Sequence, residues 1–165
     1  MGDRRTRVRI VGPDDGETLR EPDGTHDRFL IPSDASGGGF ALVEHLLAAH
    51  RLAAPLHRHN GEDEYTYVLE GRVGALLGEE EVVVRAGELV FKPRRQWHTF
   101  WNAGNEPARM LEIISPGGFE QAFRDIAAID GEPEPEAMAE IAARYGVEVD
   151  FERTMPLVEK HGLSF

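Results

Sequence analysis

The sequence predicts a mainly β chain, a barrel or sandwich of short strands followed by a helical C-terminal segment. Two observations carry this. Beyond Pro55, short apolar or valine-rich runs recur about every ten residues with turn residues between them. After Ser115-Pro116-Gly117-Gly118 the period changes, and Phe119, Ala122, Phe123 and Ile126 fall on one helical face. Composition agrees: 41% apolar and 29% charged residues over 165 positions describe one globular domain with a real core.

Taken in order, residues 1–27 read as a polar arm with one short strand around Val8, Ile10 and Val11. The turn clusters Pro13-Asp14-Asp15-Gly16 and Pro22-Asp23-Gly24 punctuate it. Arg28 to Ile31 is a second strand, stopped by Pro32. The triplet Gly37-Gly38-Gly39 lacks the Lys-Ser/Thr of a phosphate cradle and reads as a turn. Residues 40–54 are ambiguous, because Leu42, His45 and Leu46 also sit near helical spacing. From Tyr65 to Leu77 the chain alternates. Glu81 to Arg85, Leu89 to Phe91, His98 to Asn102 and Met110 to Ile114 are further strands. Gly131, Pro133 and Pro135 end a first helix, and Met138, Ile141, Ala142 and Tyr145 mark a second, stopped by Gly146. The expected organisation is an arm over 1–27, a β-barrel over 28–117 and a helical extension over 118–165, packed on the barrel.

Charge and composition narrow the function. A formal net charge of −12 argues against a nucleic-acid partner. With no cysteine, disulfides and thiolate chemistry are excluded, and any metal must be held by nitrogen and oxygen. No apolar run is long enough to span a bilayer, so no membrane role is expected. The N-terminus has no secretory apolar region, and a cytoplasmic protein is expected.

Residues 55–102 hold the chemistry. In a strand, i and i+2 share a face, so His57 and His59 aim together while Arg58 aims away. Glu64 follows a short polar segment, and His98 arrives on a later strand. Three imidazoles and one carboxylate suit a divalent ion with one or two positions left open. Glu62 is an alternative ligand if the loop is tight.

This stretch resembles the cupins, a family whose double-stranded β-helix (jelly-roll) barrel holds a divalent metal through two motifs. His57-Arg58-His59, four residues, Glu64, six residues and Gly71 match the first, with Arg51 where a leading glycine is usual. Gly87, Pro93, His98 and Asn102 stand at the separations of the second, with Arg95 in place of its middle glycine. The GGGFALVE, SPGGFEQAFRDIA and ARYGV segments are similar to single-domain bacterial cupins of the quercetin dioxygenase-like kind. The resemblance implies a strand at 40–54 and one divalent metal per chain (Fe, Ni, Mn, Co or Zn), with His57, His59, Glu64 and His98 as ligands. It also implies a homodimer.

The implied activity is a quercetinase-like dioxygenase acting on a small aromatic or enol substrate, with Glu64 as the proton acceptor. The alternatives are a metal- or ligand-binding cupin without catalysis, and a metal-dependent isomerase or epimerase of a sugar or small acid. By alternation Thr66, Val68, Phe100 and Asn102 are the candidate substrate-pocket wall, leaning apolar, while Tyr65, Tyr67, Trp97 and Trp101 fall on the other face. Arg94 and Arg95 could reach the barrel mouth, though solvated surface arginine is the simpler reading. His26 and His161 read as surface or terminal residues, and His45 and His50 as strand residues without partners.

Overall fold

A computed structural model describes residues 10–131 and 133–165. Along the chain run β1 (Thr18–Arg20), β2 (His26–Ile31), β3 (Ala41–Leu47), β4 (His57–His59), β5 (Asp63–Glu70), β6 (Arg72–Leu77), β7 (Glu80–Arg85), β8 (Leu89–Lys92), β9 (His98–Asn102) and β10 (Ala108–Ser115). Then follow α1 (Glu120–Ala127), α2 (Pro135–Arg144), β11 (Val147–Val149) and α3 (Phe151–His161). The strands make two antiparallel sheets, ordered β1-β2-β3-β10-β5-β8 and β11-β4-β9-β6-β7. The predicted jelly roll with C-terminal helices is the observed fold.

Strand alternation fills the space between the sheets. β3 buries Ala41, Val43, His45 and Leu47; β10 buries Ala108, Met110, Glu112 and Ile114; β5 buries Glu64, Thr66 and Val68. One end of the interior is closed by α1, α2 and β11, where Phe119, Ala122, Ile141, Ala142 and Val147 pack on Phe29, Ala41, Val43 and Ile114. The other end is an aliphatic plug of Leu47, Val68, Val73, Ala75, Val84, Val90 and Met110 with Phe100. The polar belt described below lies between them.

Outside the five-stranded sheet, Leu157 and Leu163 cover Trp101 and Leu52. Trp101 lies flat on its cross-strand partner Gly74, where an added Cβ would come 2.2 Å from the indole. No described helix is long and apolar enough to cross a membrane.

Several expectations change. The strand placed at Val8, Ile10 and Val11 does not form at Ile10 or Val11, and Val8 lies outside the described residues. Residues 18–20, expected as loop, are β1, paired with β2. The ambiguous 40–54 run is strand from Ala41 to Leu47. The run from Tyr65 to Leu77 is two strands in different sheets, because Gly71 (φ 82°) turns the chain over. Its Cβ would also meet Ala108 at 3.0 Å, so any side chain there would be strained. Pro135 does not end a helix but opens α2 in its first turn.

The extension carries a third helix that the sequence reading missed. Asp150 caps it by accepting from the Arg153 amide at 2.9 Å, and Gly162 (φ 59°) ends it. Pro156 inside it disguised the pattern.

Candidate metal centre

β4 is three residues long, and its alternation sends His57 and His59 inward and Arg58 outward. On one side β4 meets β9, with His57 directly opposite His98. On the other it pairs with β11 over all three residues, Val149 opposite His57 and Val147 opposite His59. Glu64 enters from β5 in the facing sheet. One ligand atom from each of His57, His59, Glu64 and His98 lies within 4.8 Å of every other, and all four residues are buried. The structure therefore brings together the four residues the sequence singled out, from two sheets and three strands.

The imidazoles are oriented from behind. Nδ1 of His57 faces the Pro55 carbonyl at 2.7 Å, Nδ1 of His98 faces the Gln96 carbonyl at 3.1 Å, and Nδ1 of His59 faces Glu62 Oε2 at 3.3 Å. An acceptor at Nδ1 places the proton there and turns the Nε2 lone pair into the cluster. His59 Nε2 is buried and faces Glu64 Oε1 at 3.2 Å without good hydrogen-bond geometry. An orphaned imidazole nitrogen costs free energy unless something else meets it. Three converging nitrogens and one carboxylate fit a divalent ion bound by nitrogen and oxygen. Glu62, considered as a ligand from sequence, stands behind His59 instead.

Charges balance the cluster. Burial opposes charge on Glu64, but the Lys92 ammonium and His59 outweigh it and hold the carboxyl well below its usual range. Burial likewise opposes a proton on His59, but Glu64 and Glu62 outweigh it and raise the imidazole to about 9, so a metal must displace a proton from His59 to use its Nε2. Burial, then the neighbouring His98 and His59, push His57 well down.

Aromatic rings pack beside the cluster. Phe119 stands edge-on against His59, with ring centroids 4.4 Å apart at 90°. Phe123 meets Phe119 at 5.3 Å. His45 lies 6.1 Å from Phe123 and 5.8 Å from Phe100. A hollow of about 210 Å³ lined by Glu81, Val83, Trp101 and His161 opens outside the five-stranded sheet and holds none of this chemistry.

Of the predicted wall residues, Thr66 gives its hydroxyl to Glu112 Oε2 at 2.5 Å, and Phe100 lies 4.3 Å under the Lys92 ammonium. Val68 belongs to the aliphatic plug. Asn102 is no wall residue. Its amide donates to the carbonyls of Leu47, Ala48 and Glu106 and accepts from the Gly104 amide, pinning the turn after β9. Arg94 is not free for a substrate, because it forks onto Asp63 at 2.8 and 3.1 Å. Arg51, standing where the motif has glycine, pairs with Glu21.

His45 has a partner after all, Asp27 Oδ1 at 2.6 Å, and is buried. His50 lies in a turn (φ 57°), not a strand, and meets Asn105 at 2.9 Å. Sequence reasoning passed over Lys92 and Glu112. Lys92 directly faces Glu64 in the β5–β8 register, a pairing that only the structure reveals.

Residues 43–114 match the family model described as Cupin domain. The tetracenomycin polyketide synthase protein TcmJ of Streptomyces glaucescens is 30% identical over 116 residues, 70% of this chain and 76% of that protein. Polyketide synthase CurC of Streptomyces cyaneus is 30% identical over 113 residues, 68% of this chain and 72% of its own length. Among solved structures, one described as a predicted oxalate decarboxylase from Thermotoga maritima superposes with a TM-score of 0.60 at 21% identity, over 66% of this chain and 99% of that one. A sugar phosphate isomerase from Silicibacter pomeroyi superposes with a TM-score of 0.56 at 22% identity, over 65% and 75% of the two chains. At these identities the two structures speak for the fold alone.

Proposed function

Since this chain belongs to the cupin superfamily, we propose that His57, His59, Glu64 and His98 hold one divalent ion (Fe, Ni, Mn, Co or Zn), and that the protein oxygenates a small planar phenol or enol in the quercetinase-like manner. The observation that carries the substrate class is the aromatic frame of Phe119, Phe123 and Phe100 beside a buried ligand cluster. A flat, apolar ring system with one acidic hydroxyl suits such a site, whereas a sugar phosphate asks for free cations. The relatives named for polyketide synthases lend this support, since polyketides are rich in enols and phenols.

A bound ion supplies Lewis acidity, which lowers the pKa of a hydroxyl that meets it. The chain's own groups do the rest. Pro55, Gln96 and Glu62 hold the three imidazoles in one tautomer and orientation. Phe119 and Phe123 exclude water and offer ring edges to a flat substrate.

A second reading keeps the ion and the substrate class but not the oxygen. In it the site isomerises or closes a ring of an enolisable substrate. One experiment separates the two: metal-loaded protein is given quercetin and a panel of hydroxylated polyphenols in air and under argon. Oxygen uptake with substrate loss supports the first reading, and equal turnover under argon supports the second. Tight binding of the panel without turnover in either gas would sink both, leaving a ligand-binding cupin.

The expected partner is a second copy. On the outer face of the six-stranded sheet Tyr65 stands opposite Phe91 and Ile113, and Tyr67 opposite Leu89. Tyr67, Leu89, Phe91 and Ile113 are all exposed, forming a contiguous apolar patch of the kind that marks association. We propose a homodimer through this face. Sedimentation that found only the 18.4 kDa chain at micromolar concentration would overturn it.

A further inference from the structure

Lys92 is wholly buried, and nothing in the proposed chemistry has yet used it. Its Nζ lies 3.0 Å from Glu64 Oε2 and 2.7 Å from Glu112 Oε1. Glu112 is itself 1% exposed, and its other oxygen accepts the Thr66 hydroxyl at 2.5 Å. Thr66, Glu112, Lys92 and Glu64 thus form one chain of contacts that ends on a metal-site carboxylate.

Such a network is an expensive way to fill a core. Replacing a buried ion pair by apolar residues of similar size is often neutral or stabilising. The neighbouring inward positions on the same strands are aliphatic, with Val68 on β5, Val90 on β8, and Met110 and Ile114 on β10. Stability therefore gives no reason for charges at Lys92 and Glu112.

We propose that Lys92 is a positioning residue that restricts Glu64 to one metal-facing oxygen. The inference rests on the reading of His57, His59, Glu64 and His98 as a metal site. Glu64 turns both oxygens toward the imidazoles: Oε1 is 3.2 Å from His59 Nε2, and Oε2 is 3.0 Å from His98 Nε2. Only Oε2 also touches the ammonium. Lys92 thereby takes up Oε2 and leaves Oε1 for the ion, while Glu112, braced by Thr66, keeps the ammonium in place.

The difference matters for what can bind. On a six-coordinate ion, three imidazoles and two carboxylate oxygens leave one position. Three imidazoles and one oxygen leave two, enough for a substrate and a small co-substrate side by side.

Glu112 separates positioning from simple charge balance. Lys92 and Glu112 cancel, so removing both leaves the local net charge unchanged. A mere counter-charge role then predicts no effect, whereas positioning predicts that Glu64 relaxes onto the ion with both oxygens.

The test uses Zn²⁺ alone. The infrared difference spectrum between zinc-loaded and metal-free protein is recorded with ¹³C-labelled glutamate, for the wild type and for K92M/E112Q. The gap between the antisymmetric and symmetric carboxylate stretches is wide for one-oxygen ligation and narrow for two. A wide gap in the wild type that narrows in the double variant is expected. A narrow gap in the wild type overturns the proposal whether or not the variant folds, and so does a wide gap that persists in a folded variant. Failure of the metal reading looks different: elemental analysis would then find no stoichiometric zinc in the wild type.

Discussion

His57 and His98 face one another across β4 and β9 with ring centroids 4.4 Å apart, and each is oriented by the carbonyl two residues earlier in its own chain. The two halves of the site use the same local device. Pro55 fixes one imidazole and Gln96 the other, so neither depends on a distant side chain for its orientation.

Replacing either His57 or His98 with alanine should therefore abolish stoichiometric metal while leaving the fold in place. Elemental analysis of the purified variants checks this. A full equivalent of metal in either one would refute the ligand set.

His59 differs, because a side chain stands behind it. Glu62→Gln should weaken Zn²⁺ binding by about 10- to 100-fold, the usual cost of losing a partner behind a ligand. Competition with a chelator measures it, and an unaltered affinity would remove Glu62 from the site.

The His45–Asp27 pair gives stability a dependence on pH. Burial opposes the imidazolium, but the Asp27 charge and hydrogen bond outweigh it, so the folded pKa lies above the ordinary value. A raised pKa contributes stability that is full below the unfolded value of about 6.5 and is lost as pH rises through the folded value. Asp27→Asn should thus cost about 1.5–3 kcal/mol at about pH 5.5, the worth of a hydrogen bond to a charged group. The gap to wild type should shrink at alkaline pH. Urea unfolding across pH reads it directly, and a gap that grew with pH would show the sign to be wrong.

Arg95 occupies left-handed backbone (φ 67°) at the position where the second motif has glycine. A side chain there costs about 1–2 kcal/mol, against roughly 0.5–1 kcal/mol for the extra freedom glycine brings to the unfolded chain. Arg95→Gly should therefore be neutral or slightly stabilising in denaturant unfolding. A clear loss would mean that the arginine side chain contributes contacts of its own.

What the sequence revealed follows from how each signal is coded. The four site residues were legible because period-two spacing and two linked motifs act over short distances. Lys92 and Glu112 were not, since a charged residue in an alternating strand reads as solvent-facing until its cross-strand partner is known. Glu64 opposite Lys92 and Thr66 opposite Glu112 are facts of register, made by strands far apart in the chain. Asn102 sat on the correct inward face but spends its amide on three carbonyls, and alternation cannot distinguish a wall from a staple. Helix α3 was hidden by Pro156, and the break at Gly71 by an apolar pattern that resumes at Val73 after Glu70-Gly71-Arg72.

The pairing of β4 sets an order of events. Across from β9 it has one register pair, at His57, whereas β11 secures all three of its residues. Val147 to Val149 lie some ninety residues downstream of the histidines they hold. During synthesis, domains form as the chain emerges from its N-terminal end. The ligand strand therefore gains its full pairing only when β11 follows, with His57, His59, Glu64 and His98 all already made. On the proposed metal reading, capture of the ion is then expected only once β11 has been made.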